Sequence, residues 1–257
     1  MSFQLRDVIS HLDGVLEIGR FADYGPNGLQ VEGTEQVRTV ITGVSASAEL
    51  IGRALERKAD LVVVHHGLVW NPGITKIAGP VARRLKLLLA NNVSLAAYHL
   101  PLDFHPRLGN NAGLADALGL GPQREAFGKV KGIALGVAGA WPEPLSRDAA
   151  IARVATAVRG GDLRFVFPFG PDPVRNVGLC SGNASDLLEE AAAAGCDLFV
   201  TGELSERASD VARELQITLI AAGHVATEVY GPMRIAEELR ARFPGIVAEF
   251  APTENPL

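Results

Sequence analysis

Two stretches of this 257-residue chain align without a gap. Val37 to Gly67 reads VRTVITGVSASAELIGRALERKADLVVVHHG, and Val174 to Leu204 reads VRNVGLCSGNASDLLEEAAAAGCDLFVTGEL. Each gives a strand, a helix and a second strand in the same order, so the simplest reading is an internal duplication. Further along, the first copy reaches His99-Leu-Pro-Leu-Asp103 after Leu95-Ala-Ala-Tyr, and the second reaches His224-Val-Ala-Thr-Glu228 after Leu219-Ile-Ala-Ala-Gly. Each half therefore carries a histidine followed four residues later by a carboxylate. Two related halves that bring such pairs to strand ends can face one another across a cleft, a natural way to build a site for two metal ions.

The rest of the chain supports a layered fold. The run Leu61-Val-Val-Val64 is β-branched throughout its last three residues, as in strands buried on both faces of a parallel sheet. Helices are expected over Phe3–Ile18, Ser47–Lys58 (capped by Ser45 or Ser47), Val81–Asn91 and Ala112–Leu118, with strands at Leu29–Val31, Val37–Val44 and Ser94–Tyr98. From Gly121 to Asp172 prolines loosen the pattern, leaving a strand at Gly132–Val137 and a helix at Arg147–Arg159. The second copy continues as strand Val174–Ser181, helix Ala184–Ala194, strand Leu198–Thr201, helix Glu206–Leu215, strand Ile217–Ala221, helix Val229–Phe243 and strand Gly245–Phe250. The expected fold is α/β: two related three-layer α/β/α lobes, residues 1–125 and 126–257, with the metal site in the cleft between them. In one variant of this plan the C-terminal helix packs across onto the first lobe.

Composition narrows the function. A hydrophobic fraction of 47% is ample for a buried core, and the net charge of −5 is spread without a basic stripe, which argues against nucleic acid as a partner. The two cysteines, Cys180 and Cys196, lack CxxC spacing and read as reduced, buried small residues. Charges interrupt the apolar runs of MSFQLRDVISHLDGVLEIG, and no stretch of eighteen apolar residues occurs, so a soluble cytoplasmic protein is expected. Neither a GxxxxGKS/T phosphate loop nor a GxSxG elbow is present.

The chemistry-bearing residues each have two readings. His65 and His66 end a strand where α/β sheets bind ligands; they serve either as imidazole donors for Zn, Fe, Ni or Cu, or as one packed and one exposed histidine. Asp103 is a hard oxygen donor or a cap of the turn at Phe104-His105-Pro106, and Pro101 favours an extended loop over a helical turn. His99 suits a position supporting the metal or the substrate. His105, before a proline and beside Arg107, reads as surface. His224 and Glu228, four apart on an expected helix, share a face and can bind one ion or bridge two, while an acid in a first helical turn also complements the helix dipole. Asn27-Gly28 is a turn signal by itself. Glu203 aligns with His66 and reads as a general base, an acceptor behind a ligand, or a solvated strand-end acid.

Taken together, Asp23-Tyr-Gly-Pro-Asn-Gly-Leu-Gln-Val31, Val64-His-His-Gly67, His99-Leu-Pro-Leu-Asp103, Thr201-Gly-Glu203 and Gly223-His-Val-Ala-Thr-Glu228 resemble the NIF-three-like dinuclear metal proteins, often labelled type 2 homologues of GTP cyclohydrolase I. The resemblance spans nearly the whole chain. It implies two divalent transition-metal ions (Zn, Fe, Mn or Ni) held by His65, His66, Asp103, His224 and Glu228, with Glu228 touching both, and a toroidal homohexamer. Many such proteins have proline where Gly67 stands and histidines where Ser205 and Glu206 stand. These departures leave the five ligands intact and bear on pocket shape and substrate choice. The expected function is metal-dependent hydrolysis of a small molecule, a nucleotide being one candidate, with His99 or Glu203 moving the proton. The alternative is a non-catalytic metal-binding scaffold or regulator.

Overall fold

The computed structural model describes residues 1–158, 163 and 165–255. They form two compact units. The first comprises Met1–Leu108 and Gly231–Glu254, and the second comprises the described residues of Gly109–Tyr230 together with Asn255.

The first unit contains β1 (Phe3–Gln4), α1 (Leu5–Val15), β2 (Gly28–Val31), β3 (Gln36–Val37), β4 (Thr39–Ser45), α2 (Ala48–Glu56), β5 (Leu61–His66), α3 (Gly79–Ala90), β6 (Ser94–Ala97) and α4 (Leu100–Phe104). The second contains α5 (Asn110–Ala117), β7 (Arg124–Val130), β8 (Ile133–Leu145), α6 (Arg147–Ala157), β9 (Phe165–Pro168), β10 (Val174–Cys180), α7 (Leu188–Ala193), β11 (Leu198–Thr201), α8 (Ala208–Glu214), β12 (Thr218–Ala221) and α9 (His224–Thr227). With α10 (Tyr230–Arg242) and β13 (Val247–Phe250) the chain returns to the first unit.

In the first unit the sheet order is β13-β4-β5-β6-β2, with β2 alone antiparallel. The pleat divides its side chains between two cores. Leu61 and Val63 pack with Leu12 of α1 and Ile235 and Leu239 of α10, whereas Val62 and Val64 pack with Leu50 and Ile51 of α2 and Leu88 of α3. A parallel sheet covered on both faces is the three-layer arrangement expected of such β-branched strands.

The second unit has the sheet order β7-β8-β10-β11-β12-β9, again parallel at its centre (β10, β11, β12) with an antiparallel strand beside β12, as β2 lies beside β6. The correspondence extends to single bonds. Asp60 Oδ2 accepts from the amides of Arg38 and Thr39 at 2.7 and 2.9 Å, and Asp197 Oδ2 accepts from those of Arg175 and Asn176 at 2.9 and 2.7 Å. The carbonyl of Asp60 likewise receives Ser94 N, and that of Asp197 receives Thr218 N.

Several elements differ from expectation. The division falls at Leu108/Gly109 rather than at 125/126, because α5 buries Leu114 and Ala115 with Trp141 and Val154 of the second unit. The C-terminal helix belongs to the first unit, as in the variant plan of the sequence reading, and buries Ile235, Ala236 and Leu239 against α1. Phe3–Gln4 is a short strand on β3 rather than the first turn of α1. The proline-rich region holds the β7–β8 hairpin, longer than the expected Gly132–Val137 strand. Pro142 and Pro144 of β8 lie beyond its last pairing with β7, at Gly139, and within the irregular stretch of its ladder with β10, so the missing N–H groups break no regular ladder. Arg159, the expected end of α6, lies outside the described residues. No helix among the described residues is long and apolar enough to cross a membrane.

Candidate metal centre

In the first unit the candidate residues gather at the carboxyl ends of β4, β5 and β6, where open parallel sheets present their loops to ligands. His65 is fully buried, and its Nδ1 lies 3.0 Å from the carbonyl of Tyr98, the residue after β6. A carbonyl only accepts, so Nδ1 carries the proton and Nε2 the lone pair. That Nε2 is 3.5 Å from Oδ1 of the buried Asp103. A lone pair and a carboxylate oxygen converging in this way suit a shared cation.

His66 stands opposite Ser45 in the β4–β5 register, and its Nδ1 is 3.1 Å from the Ser45 hydroxyl. Ser47, not Ser45, caps α2 by accepting from Leu50 N. The rings of His65 and His66 lie 4.5 Å apart, and that of His99 is 5.0 Å from His65. One nitrogen from each of the three lies within 4.8 Å of the others. Asn27, Gln30, Gly67 and Trp70 line a small pocket beside His65 and His99. Gln30 Oε1 accepts from the amides of Leu68 and Val69 and fills the space beside Gly67, where an ideal Cβ would come within 2.3 Å of it.

His99 is held by Asp23. Its Nδ1 is 2.7 Å from Asp23 Oδ1, and its amide donates to Asn27 Oδ1 at 2.8 Å. Burial raises the Asp23 carboxyl, but the hydrogen bond and charge of His99, together with the Asn27 amide and the Tyr24 N–H, hold it below its ordinary value. Asp103 follows on α4, so the expected extended loop is a helical turn. Pro101 sits at the second helical position, where its missing N–H costs no intrahelical bond. The turn that follows is closed by His105, whose half-buried Nδ1 accepts from the amides of Arg107 and Leu108.

In the second unit the ends of β10, β11 and β12 are strapped together. Gly202 N and Glu203 N donate to the Gly182 carbonyl, Gly223 N donates to Gly202, and Gly182 N donates to Thr227 Oγ1. The expected single helix is instead α9, a break at Glu228, and α10. His224 Nδ1 is 2.6 Å from Glu203 Oε1, and its Nε2 is 3.1 Å from Oε1 of the buried Glu228. Burial pulls the His224 ring down, but the hydrogen bonds and charges of Glu228 and then Glu203 outweigh it and push the ring up to about 9. Glu203 thus stands behind His224, with a side chain 41% exposed.

Asp23, Ser45 and the Tyr98 carbonyl escape the sequence reading. Asp23 heads the turn Asp23-Tyr-Gly-Pro-Asn27, a carboxylate ahead of a Gly-Pro pair, and that is the one signal that could have found it. A backbone acceptor leaves no trace in residue types.

A family model described as Duf34/NIF3 (NGG1p interacting factor 3) matches residues 3–256. The "GTP cyclohydrolase 1 type 2 homolog" of Pseudomonas aeruginosa is 42% identical over 246 residues, 95% of each chain. The protein of the same name from Archaeoglobus fulgidus is 41% identical over 246 residues, 96% of each. Among solved structures, one from Thermus thermophilus is 35% identical with a TM-score of 0.87, covering 99% of this chain and 100% of that one.

Proposed function

Since the chain belongs to the Duf34/NIF3 family, we propose that it is a metal-dependent hydrolase whose donors hold two divalent transition-metal ions per chain. The observation that carries the reading is common to His65, His66, His99 and His224. In each ring Nδ1 is tied to an oxygen of the same unit: the Tyr98 carbonyl, the Ser45 hydroxyl, the Asp23 carboxylate and the Glu203 carboxylate. Fixing Nδ1 in this way is how proteins orient an imidazole that coordinates, or exchanges protons, through Nε2.

In this reading His65, His66, Asp103, His224 and Glu228 would hold the ions. Imidazole mixed with carboxylate suits Zn, Fe, Mn or Ni. When bound, such ions lower the pKa of a coordinated water and so provide hydroxide at neutral pH. His99 accepts a proton through Nε2, and Glu203 holds His224 in place while its exposed carboxylate exchanges protons with solvent. The names of the relatives make a nucleotide such as GTP the first substrate to try. The same reading includes a homohexameric ring acting in the cytoplasm.

Elemental analysis of protein purified without chelator is expected to give two ions per chain, and a value near zero after reconstitution with Zn, Mn and Fe(II) overturns the dinuclear centre. Glu228→Gln keeps the shape and removes the charge, so it is expected to lose both ions, whereas His224→Ala loses one. Full metal content in Glu228→Gln would reduce Glu228 to a structural acid. Incubating the loaded protein with GTP, read by purine absorbance, tests ring opening, and light scattering tests for six chains.

A further inference from the structure

We propose that Asp23 is the positioning residue of His99: its carboxylate fixes the imidazole as the Nδ1–H tautomer and so keeps Nε2 as the basic nitrogen. The inference rests on reading His99 as the proton carrier, and it deepens that reading by making the Asp23 carboxylate the group that sets the tautomer of the ring.

The geometry is specific. The Asp23 side chain is 2% exposed. Its Oδ1 accepts from His99 Nδ1 at 2.7 Å and from Tyr24 N at 2.6 Å. Its Oδ2 accepts from Asn27 Nδ2 and Leu100 N, both at 2.9 Å. Four donors therefore converge on one carboxylate, which is nearly the whole acceptor capacity of an ionised Asp. Three of them secure the carboxylate on the 23–27 turn and at the start of α4; the fourth is the imidazole. Because the Asn27 carbonyl oxygen is itself taken by His99 N, the Asn27 amide cannot turn round to relieve Asp23. Both the ring and the peptide of His99 are thus held by one turn. An orienting carboxylate behind a histidine is the arrangement by which hydrolases keep a general base in the tautomer its chemistry needs.

Asp23→Asn probes the arrangement without changing size. Each oxygen meets two donors, but both at Oδ2 are fixed, whereas at Oδ1 only Tyr24 N is and the ring nitrogen can turn acceptor, so the new amide oxygen is expected to settle at the Oδ2 position with the NH2 facing His99 Nδ1. That nitrogen must then accept, and the proton moves to Nε2. The test is a long-range 1H–15N correlation spectrum of 15N-labelled full-length protein at a pH where the ring is neutral, with His99 assigned by its disappearance in His99→Ala. Wild type is expected to show mostly Nδ1–H and Asp23→Asn mostly Nε2–H, with Asp23→Glu restoring the wild-type pattern. A wild-type ring that is mostly Nε2–H overturns the proposal, and that measurement decides it even if the variants fail to fold. An unchanged tautomer in folded Asp23→Asn overturns it equally, since a carboxylate that merely braced the turn would leave the ring alone. Metal content is measured on the same samples. If wild type holds no metal while the tautomer switches as expected, the hydrolase reading fails and the positioning of His99 stands.

Discussion

Gly182 has a left-handed φ of +67°, and an ideal Cβ there would lie 2.3 Å from Glu228 Oε1 and 3.2 Å from His224 Nε2. Gly182→Ala is expected to displace the Glu228 carboxylate and strain the backbone together, costing about 1–3 kcal/mol by analogy with other non-glycine residues held in this region. Denaturant titration checks the stability, and elemental analysis should find fewer ions than in wild type. The matched glycine at Gly132, with a φ of +86° and no heavy atom within 4 Å of its Cβ, supplies the control for backbone strain alone. At this scale the sequence is legible where a side chain is itself the signal: His65 stands beside Asp103, and His224 beside Glu228. It is silent where the partner is remote or belongs to the backbone: Asp23 stands 76 residues from His99, and the acceptor for His65 is a carbonyl.

Elements were legible in proportion to how local their determinants are. The Ser47 cap of α2 and the β-branched β5 follow from neighbouring residues, whereas the β7–β8 hairpin hides behind prolines whose tolerance depends on where the ladders end. The attachment of α10 is equally non-local. Glu238 accepts from Arg107 Nη1 at 2.8 Å and pairs with His11 Nε2 at 3.0 Å, with a side chain 13% exposed. Burial raises its carboxyl, but the bond and charge of Arg107 and then of His11 hold it below the ordinary 4.5. A depressed carboxyl contributes stability that is present above pH 4.5 and is lost as pH falls through the folded value. The stability gap between wild type and Glu238→Gln is therefore expected to be full at about pH 6 and to close as the pH is lowered below 4.5. Denaturant midpoints across that range check it; a gap independent of pH would mean that the charge of Glu238 contributes nothing.

At the scale of the molecule, the gapless alignment of two stretches made the fold class readable, because one strand-helix-strand pattern met twice leaves little choice but two parallel-centred sheets. The division between units was not readable, because it depends on which core α5 and α10 bury their apolar faces in. A fragment ending at residue 230 removes Ile235, Ala236, Leu239, Phe243, Ile246 and Ala248 from the core that contains Leu5, Val8 and Leu12. Each large buried side chain lost is worth about 2–5 kcal/mol, so the first unit of this fragment is expected to unfold while the second persists. Amide hydrogen exchange checks this by losing protection in β4–β6 and keeping it in β10–β12. The same threading orders events during synthesis. A nascent chain leaves the ribosome N-terminus first, yet the sheet begun by residues 28–97 lacks its edge strand and one of its covering helices until residues 231–250 have emerged. The second unit, whose sheet and helices all lie within Gly109–Tyr230, can close first, so the part of the protein that is translated earliest is completed last.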